Sequence, residues 1–224
     1  MRPADDRPAV MLSPARLVAR HLRRPTGLLG SLVALAMNRG NRRMNRSMVD
    51  WLGVEPGQAV LDIGFGGGTN LVNLLSRSDH GLVAGVDTAP DMVRRARRRF
   101  RRAIGEGRLV IEPGSAQELP FEDGRFERVV TVNTIYFWPD VPAGLGEILH
   151  VMAPGARLAV GIRSPAMMRS LAATRHGFTI RTAEEIEGLM RTAGFAAIEV
   201  RDHAAETLGG YIGIIGSKTG SDAL

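Results

Sequence analysis

Residues Val60-Leu61-Asp62-Ile63 run without a break into Gly64-Phe65-Gly66-Gly67-Gly68-Thr69, an apolar stretch that ends in a turn made almost wholly of glycine. Ala59 to Ile63 reads as a buried strand, and Asn70 to Leu75 as part of the helix that follows. Glycines at such a strand-to-helix turn let a ligand lie against bare backbone. Two phosphate-binding patterns fail here. The dinucleotide fingerprint G-x-G-x-x-G needs a glycine where Thr69 stands, and a P-loop needs a lysine that this region lacks. The pattern that fits is acid-x-G-x-G-x-G, from Asp62 through Gly64, Gly66 and Gly68.

Beyond this turn, short apolar runs alternate with segments of helical period. Leu82 to Val86, Arg108 to Ile111, Phe126 to Val132 and Arg157 to Ile162 read as strands. Pro90 to Ala103 and Val141 to Met152 read as helices, and a third opens at Thr182 with Glu185 at capping-box spacing and stops at Gly194. Ala197 to Asp202 and Tyr211 to Ile215 complete the strands, with too little chain between them for a crossover helix, so they should pair antiparallel. The expected fold is α/β: a doubly wound, Rossmann-like sheet of seven strands, mostly parallel with an antiparallel last strand, plus an N-terminal helical lid. The expected organisation is an arm over residues 1–53, one domain over 54–216 and a tail over 217–224. A chain of 224 residues suits one domain of ordinary size with a short extension.

Three further segments carry chemistry. The second strand ends in Gly85-Val86-Asp87, which puts an acid at the carboxyl edge beside the glycine turn, where doubly wound sheets bind ligands and where a carboxylate suits the two hydroxyls of a ribose. Gly114-Ser115-Ala116-Gln117-Glu118-Leu119-Pro120-Phe121 forms the loop after strand three. Asn133-Thr134-Ile135-Tyr136-Phe137-Trp138-Pro139-Asp140 follows strand four, and Glu147 to Leu158 spans a helix, a Pro154-Gly155 turn and a strand.

With these motifs in this order, residues 54–216 resemble the class I S-adenosylmethionine-dependent methyltransferases, the broad branch with a compact seven-stranded core. The resemblance implies S-adenosyl-L-methionine as cofactor. It implies that Asp62, Gly64, Phe65, Gly66 and Gly68 hold the methionine end. Asp87 takes the ribose, with Thr88 and Met92 near the adenine. Ser115, Ala116 and Gln117 stand where the family usually has an acid beside a small residue, and Asn133 completes the cofactor set. Asn41, Tyr136 and His176 are the candidates for the acceptor side. Asn133-Thr134-Ile135-Tyr136 lacks both prolines of the Asn-Pro-Pro-Tyr motif of amino methyltransferases, which argues against that subclass. The physics agrees: a sulfonium needs no phosphate cradle, and an in-line methyl displacement is catalysed mostly by alignment. No catalytic base is assigned and no metal site is expected.

Charge is distributed unevenly. The net charge is +6, yet residues 1–50 hold 10 Arg and 3 Asp, leaving the remainder close to neutral. The apolar stretch Thr26 to Met37 is 12 residues long, shorter than a bilayer requires, and arginines follow it, so it reads as an internal helix in a cytoplasmic protein. Asn38, Asn41 and Asn45 fall on one helical face, expected to point at the pocket of a closing lid. The seven arginines from Arg94 to Arg102 read as a solvated helix face, so nucleic acid is not the expected partner; membrane contact through residues 13–50 is compatible with the basic arm. No cysteine is present, which excludes disulfides, thiolate metal sites and cysteine nucleophiles. The resulting expectation is methyl transfer to a small molecule or peptide. The rivals are an RNA or protein methyltransferase using the arm, a lipid-headgroup methyltransferase, and a cofactor-binding protein without chemistry. Oligomeric state is left open.

Overall fold

The computed structural model describes residues 41–175, 177–203 and 210–220. The expectations placed on Asn38, on the rest of the arm before residue 41 and on His176 lie outside the described residues.

Seven strands form one sheet: β1 (Val60–Ile63), β2 (Val83–Asp87), β3 (Leu109–Pro113), β4 (Phe126–Val132), β5 (Met152–Arg163), β6 (Phe195–Asp202) and β7 (Tyr211–Lys218). Their order across the sheet is β3-β2-β1-β4-β5-β7-β6. Strands β1 to β5 run parallel, and β7 lies antiparallel between β5 and β6. The chain winds outward from β1 in both directions, so the β1/β4 boundary is the topological switch point at whose carboxyl edge such sheets bind ligands.

Helices cover both faces. On one face lie α1 (residues 41–52), α2 (Thr69–Leu75), α3 (Pro90–Arg99) and the short α4 (Arg101–Gly105). Their apolar stripes close over Val60, Val83, Val130, Ala159 and Ile215. On the other lie α5 (Val141–Val151) and α7 (Ala183–Ala193), with α6 (Pro165–Ser170) after β5. They pack on Leu61, Ile63, Val86, Val129 and Leu158. Successive strand residues thus serve opposite faces, and both faces are apolar because both are covered.

Several boundaries move for identifiable reasons. The single helix expected from Pro90 to Ala103 breaks at Phe100, whose ring turns in toward the glycine turn: a Cβ on Gly68 would stand 3.0 Å from it. Strand β7 runs on to Lys218, past the expected end at Ile215 and into the region read as a tail. Lys218 Nζ donates to the carbonyl oxygens of Leu149 and Met152, each at 2.8 Å, capping the end of α5 with a cation.

Residues 41–52, read as part of the arm, are built into the domain. Met44, Met48, Val49 and Leu52 form a buried stripe at helical spacing, with Arg42, Arg43 and Arg46 exposed. The helix can lie this close because β5 and β7 place Gly161 and Gly213 directly opposite each other under it. A Cβ on Gly161 would come within 2.9 Å of Met48, and one on Gly213 within 2.5 Å of Trp51. Among the described residues no helix is long and apolar enough to cross a membrane.

Candidate functional site

The carboxyl ends of β1 and β2 set two acids side by side on the face shared with α2 and α3. Asp62 is paired in register with Gly85, and Asp87 ends β2. Between them the chain leaves β1 through Gly64 and Gly66, which hold φ values of 72° and 52° that other residues adopt at a cost.

The glycines differ in what they face. A Cβ on Gly64 would lie 2.4 Å from Thr134 Cγ2, and the Gly68 position abuts Phe100. Both are therefore required by protein packing. A Cβ on Gly66 would meet no described atom within 4 Å, so this residue alone of the three presents bare backbone to open space. From α3, Arg99 donates to the Gly67 carbonyl at 2.9 Å and lies over the Phe100 ring, buttressing the turn from outside.

Asp87 has a structural task that its ribose assignment does not require. One carboxylate oxygen accepts from Gly66 N and the other from Ala89 N, each at 2.8 Å. It thus holds the glycine turn in place, while a carboxylate's remaining lone pairs stay open to a ligand. Burial raises its pKa, and the two backbone hydrogen bonds oppose that rise.

Asp62 is more deeply enclosed. Burial raises its pKa from the ordinary carboxylate value to about 7; the Asn70 hydrogen bond opposes this and the Asp87 charge adds to it. Asn70 Nδ2 donates to Asp62 Oδ1 at 3.5 Å, while Asp62 Oδ2 and Asn70 Oδ1 are buried with no partner among the described residues. A buried acceptor without a donor is rare enough to need a cause.

The adenine-side candidates line the same edge. Met92 and Ala116 are buried, Thr88 is exposed, and Ser115 and Gln117 are intermediate, in a tight loop where Ser115 N donates to Glu118 O at 3.3 Å. Phe65 turns its side chain into the core, so the backbone is what it offers a ligand. Asn133 follows β4 in the left-handed region at φ 59°, uncommon for a residue other than glycine.

On the acceptor side, Tyr136 is buried, and its hydroxyl accepts from Arg163 N at 2.6 Å and donates to Asn133 Oδ1 at 3.5 Å. Burial pushes its phenol far above the usual range, so this hydroxyl stays protonated. It presents a bonded buried group at this edge and orients Asn133 and the end of β5. Trp138 packs in the core, and Phe137 against it. Asn41, at the start of α1, accepts from the Arg163 guanidinium at the carboxyl end of β5. Asn45 is buried on the same helix. Sequence reasoning missed Arg163 and Asn70; neither belongs to a motif, and only the fold brings them to this edge.

Residues 60–155 match a family described as a methyltransferase domain. Over 134 residues, 59% of its length, the chain is 34% identical to a demethylmenaquinone methyltransferase of Beutenbergia cavernae, of which it covers 51%. It is 25% identical over 174 residues, 74% of its length, to the O-methyltransferase resE of Aspergillus sclerotiorum, of which it covers 65%. The chain thus spans about half to two thirds of the length of these relatives. The fold superposes on a geranyl diphosphate methyltransferase solved with S-adenosylmethionine at a TM-score of 0.69, with 17% identity, over 89% of this chain and 94% of that one.

Proposed function

We propose that this chain, whose residues 60–155 match a methyltransferase domain, is a class I S-adenosylmethionine-dependent methyltransferase that transfers the cofactor's methyl group to a small-molecule acceptor at the carboxyl edge of β1, β2, β4 and β5. The observation that carries this reading is the open backbone at Gly66, set between two buried carboxyls and tied to one of them. S-adenosylmethionine supplies an electrophilic methyl on a sulfonium, whose positive charge is lost as the methyl leaves. The site fits such a group. Asp62 offers a buried, unpartnered oxygen to a cationic end, Asp87 offers lone pairs to hydroxyls, and Gly66 leaves room between them.

The acceptor end is assigned to the edge made by Asn133, Tyr136, Arg163 and Asn41. Tyr136 and Arg163 fix the ends of β4 and β5, so that alignment, worth effective molarities of ~10⁵–10⁸ M in favourable cases, supplies most of the rate. The small-molecule reading draws on the relatives, whose names include an O-methyltransferase and a methyltransferase acting on demethylmenaquinone. Asn41 meets Arg163 at this edge, which supports a part for the start of α1 in shaping the acceptor side. The test is incubation with methyl-labelled cofactor and a panel of hydroxylated and quinoid compounds, with peptides and RNA in parallel. Label in a small molecule, with S-adenosylhomocysteine formed in equal amount, is expected. Label only in peptide or RNA would overturn the acceptor class.

Asp87→Ala tests the cofactor half separately. It removes both the ribose acceptor and the strut under Gly66. Cofactor binding should weaken by ~1.5–3 kcal/mol, about 10–150-fold in Kd, as for hydrogen bonds to a charged group. Titration calorimetry with S-adenosylhomocysteine reads this directly, and an unchanged affinity would take Asp87 out of the site.

A further inference from the structure

The polar count around Asp62 does not close. The carboxylate has acceptor capacity for several hydrogen bonds, and the described residues supply one donor, Asn70 Nδ2, at 3.5 Å. Asp62 Oδ2 is left alone, and Asn70 Oδ1 is left alone beside it. Both residues are at least nine-tenths buried, at 1% and 5% exposure. Exchanging the amide's O and N would set oxygen against oxygen, so the orientation stands while Asp62 is ionised. The pair therefore offers two buried acceptors to a group that brings donors only. A guanidinium or lysine of the protein would serve, yet the one charge of the described residues that acts on Asp62 is the carboxylate of Asp87, which is repulsive. Of the described neighbours, α2 contributes the neutral Asn70, and β4 pairs Asp62 with Val130.

We propose that Asn70 is a second ligand, beside Asp62, for the α-ammonium group of the cofactor's methionine end, and that it sets the discrimination between cofactors that carry the aminoacyl group and those that lack it. This rests on the methyltransferase reading of the site. An ammonium has three donors and no acceptor, which matches a seat built of acceptors. The amide keeps the carboxylate available: its N–H holds Asp62 Oδ1 in the ionised form while its own oxygen takes a second ammonium proton. With the Asp62 carboxyl pushed up to about 7 in the free protein, seating a cation there also expels a proton from part of the population.

The experiment compares S-adenosylhomocysteine with 5′-methylthioadenosine, which has the same nucleoside and thioether but no aminoacyl group, on wild type and on Asn70→Leu by calorimetry. In Asn70→Leu the first ligand should weaken by about 10–100-fold while the second keeps its affinity, the retained binding also showing that the variant is folded. Asn70→Ala, which leaves a gap in place of an apolar wall, serves should the leucine not fold. In wild type, affinity for S-adenosylhomocysteine should rise with pH through about 7 and then level off, because ionised Asp62 is the binding form, and methylthioadenosine should show no such rise. In the variant this midpoint should move up, since the hydrogen bond that lowers the Asp62 pKa is gone. Equal losses for both ligands, or no loss for either with an unmoved midpoint, would overturn the role of Asn70 and leave the methyltransferase reading intact. Failure of wild type to bind either ligand would overturn both.

Discussion

Gly66→Val is expected to yield a folded protein that no longer binds the cofactor. A Cβ at this position meets no described atom within 4 Å, so the folded chain has room for the side chain. The cost to folding is that of the left-handed backbone at φ 52°, ~1–2 kcal/mol for an L residue and more for a β-branched one. Taking ~2 kcal/mol, Tm should fall by about 4–8 °C for a chain of this size. Binding is hit far harder. The isopropyl group stands in the space to which the turn exposes its backbone, between Asp62 and Asp87, and the strain loosens the Gly66 N–H from Asp87. Affinity for S-adenosylhomocysteine should drop by more than about 1,000-fold, over ~4 kcal/mol. Gly64→Val separates the two effects, because there a Cβ would stand 2.4 Å from Thr134 and the fold itself should suffer. A folded Gly66→Val variant with wild-type affinity would move the cofactor off the glycine turn altogether.

This contrast marks how far the sequence was legible. The strand-to-glycine turn and the acid ending β2 lie within 28 residues of each other, in segments whose period declares strand or helix locally, and their placement at one sheet edge needs only the right-handed winding of βα units. The doubly wound fold and the antiparallel last strand were readable for the same reason. What each glycine does was not readable. Gly64 answers to Thr134 and Gly68 to Phe100, partners that only tertiary packing brings up, and spacing alone makes all three look alike. The break at Phe100 escaped because the pattern on either side is equally helical, and the ring is drawn away by a contact distant in sequence. The second task of Asp87, holding the turn, was hidden because nothing in a sequence says which backbone N–H a carboxylate will reach. Asn70 sits one residue past the motif and gains its meaning from two oxygens left without donors.

The helix over residues 41–52 shows the same limit and gives the second large effect. Two glycines in separate strands, Gly161 and Gly213, look from the sequence like weak points, yet they are opposite each other in the β5/β7 ladder and form the flat floor on which α1 lies. Gly213→Val should therefore expel the helix. The first added carbon would be 2.5 Å from Trp51 Cζ3 and 2.8 Å from Met48 Cε, and the ring, itself stacked on His203, has less freedom to retreat than a methionine tip. Overpacking alone costs ~1–3 kcal/mol. Lifting α1 also returns part of Met44, Met48, Val49 and Leu52 to water, at ~1.5–3 kcal/mol for each side chain fully exposed. A net loss of ~4 kcal/mol is expected, a large share of the ~5–15 kcal/mol that holds a typical domain together, and Tm should fall by about 8–16 °C. Hydrogen exchange over residues 41–52 should accelerate well beyond that in β1 and β2. The milder Gly161→Ala adds one carbon that meets Met48 Cγ at 2.9 Å and Met44 Cε and Met48 Sδ at 3.0 Å; Met48 must shift along its stem, and the cost should stay below that of driving a carbon into the Trp51 ring. Because the acids proposed to hold the cofactor, Asp62 and Asp87, belong to β1 and β2 while Asn41 reaches Arg163 from α1, Gly213→Val should keep S-adenosylhomocysteine binding within a few-fold at low temperature and lose methyl transfer. An unchanged Tm together with unchanged exchange over α1 would mean that the helix is not seated on the glycine floor, and the acceptor edge would then have to be built without Asn41.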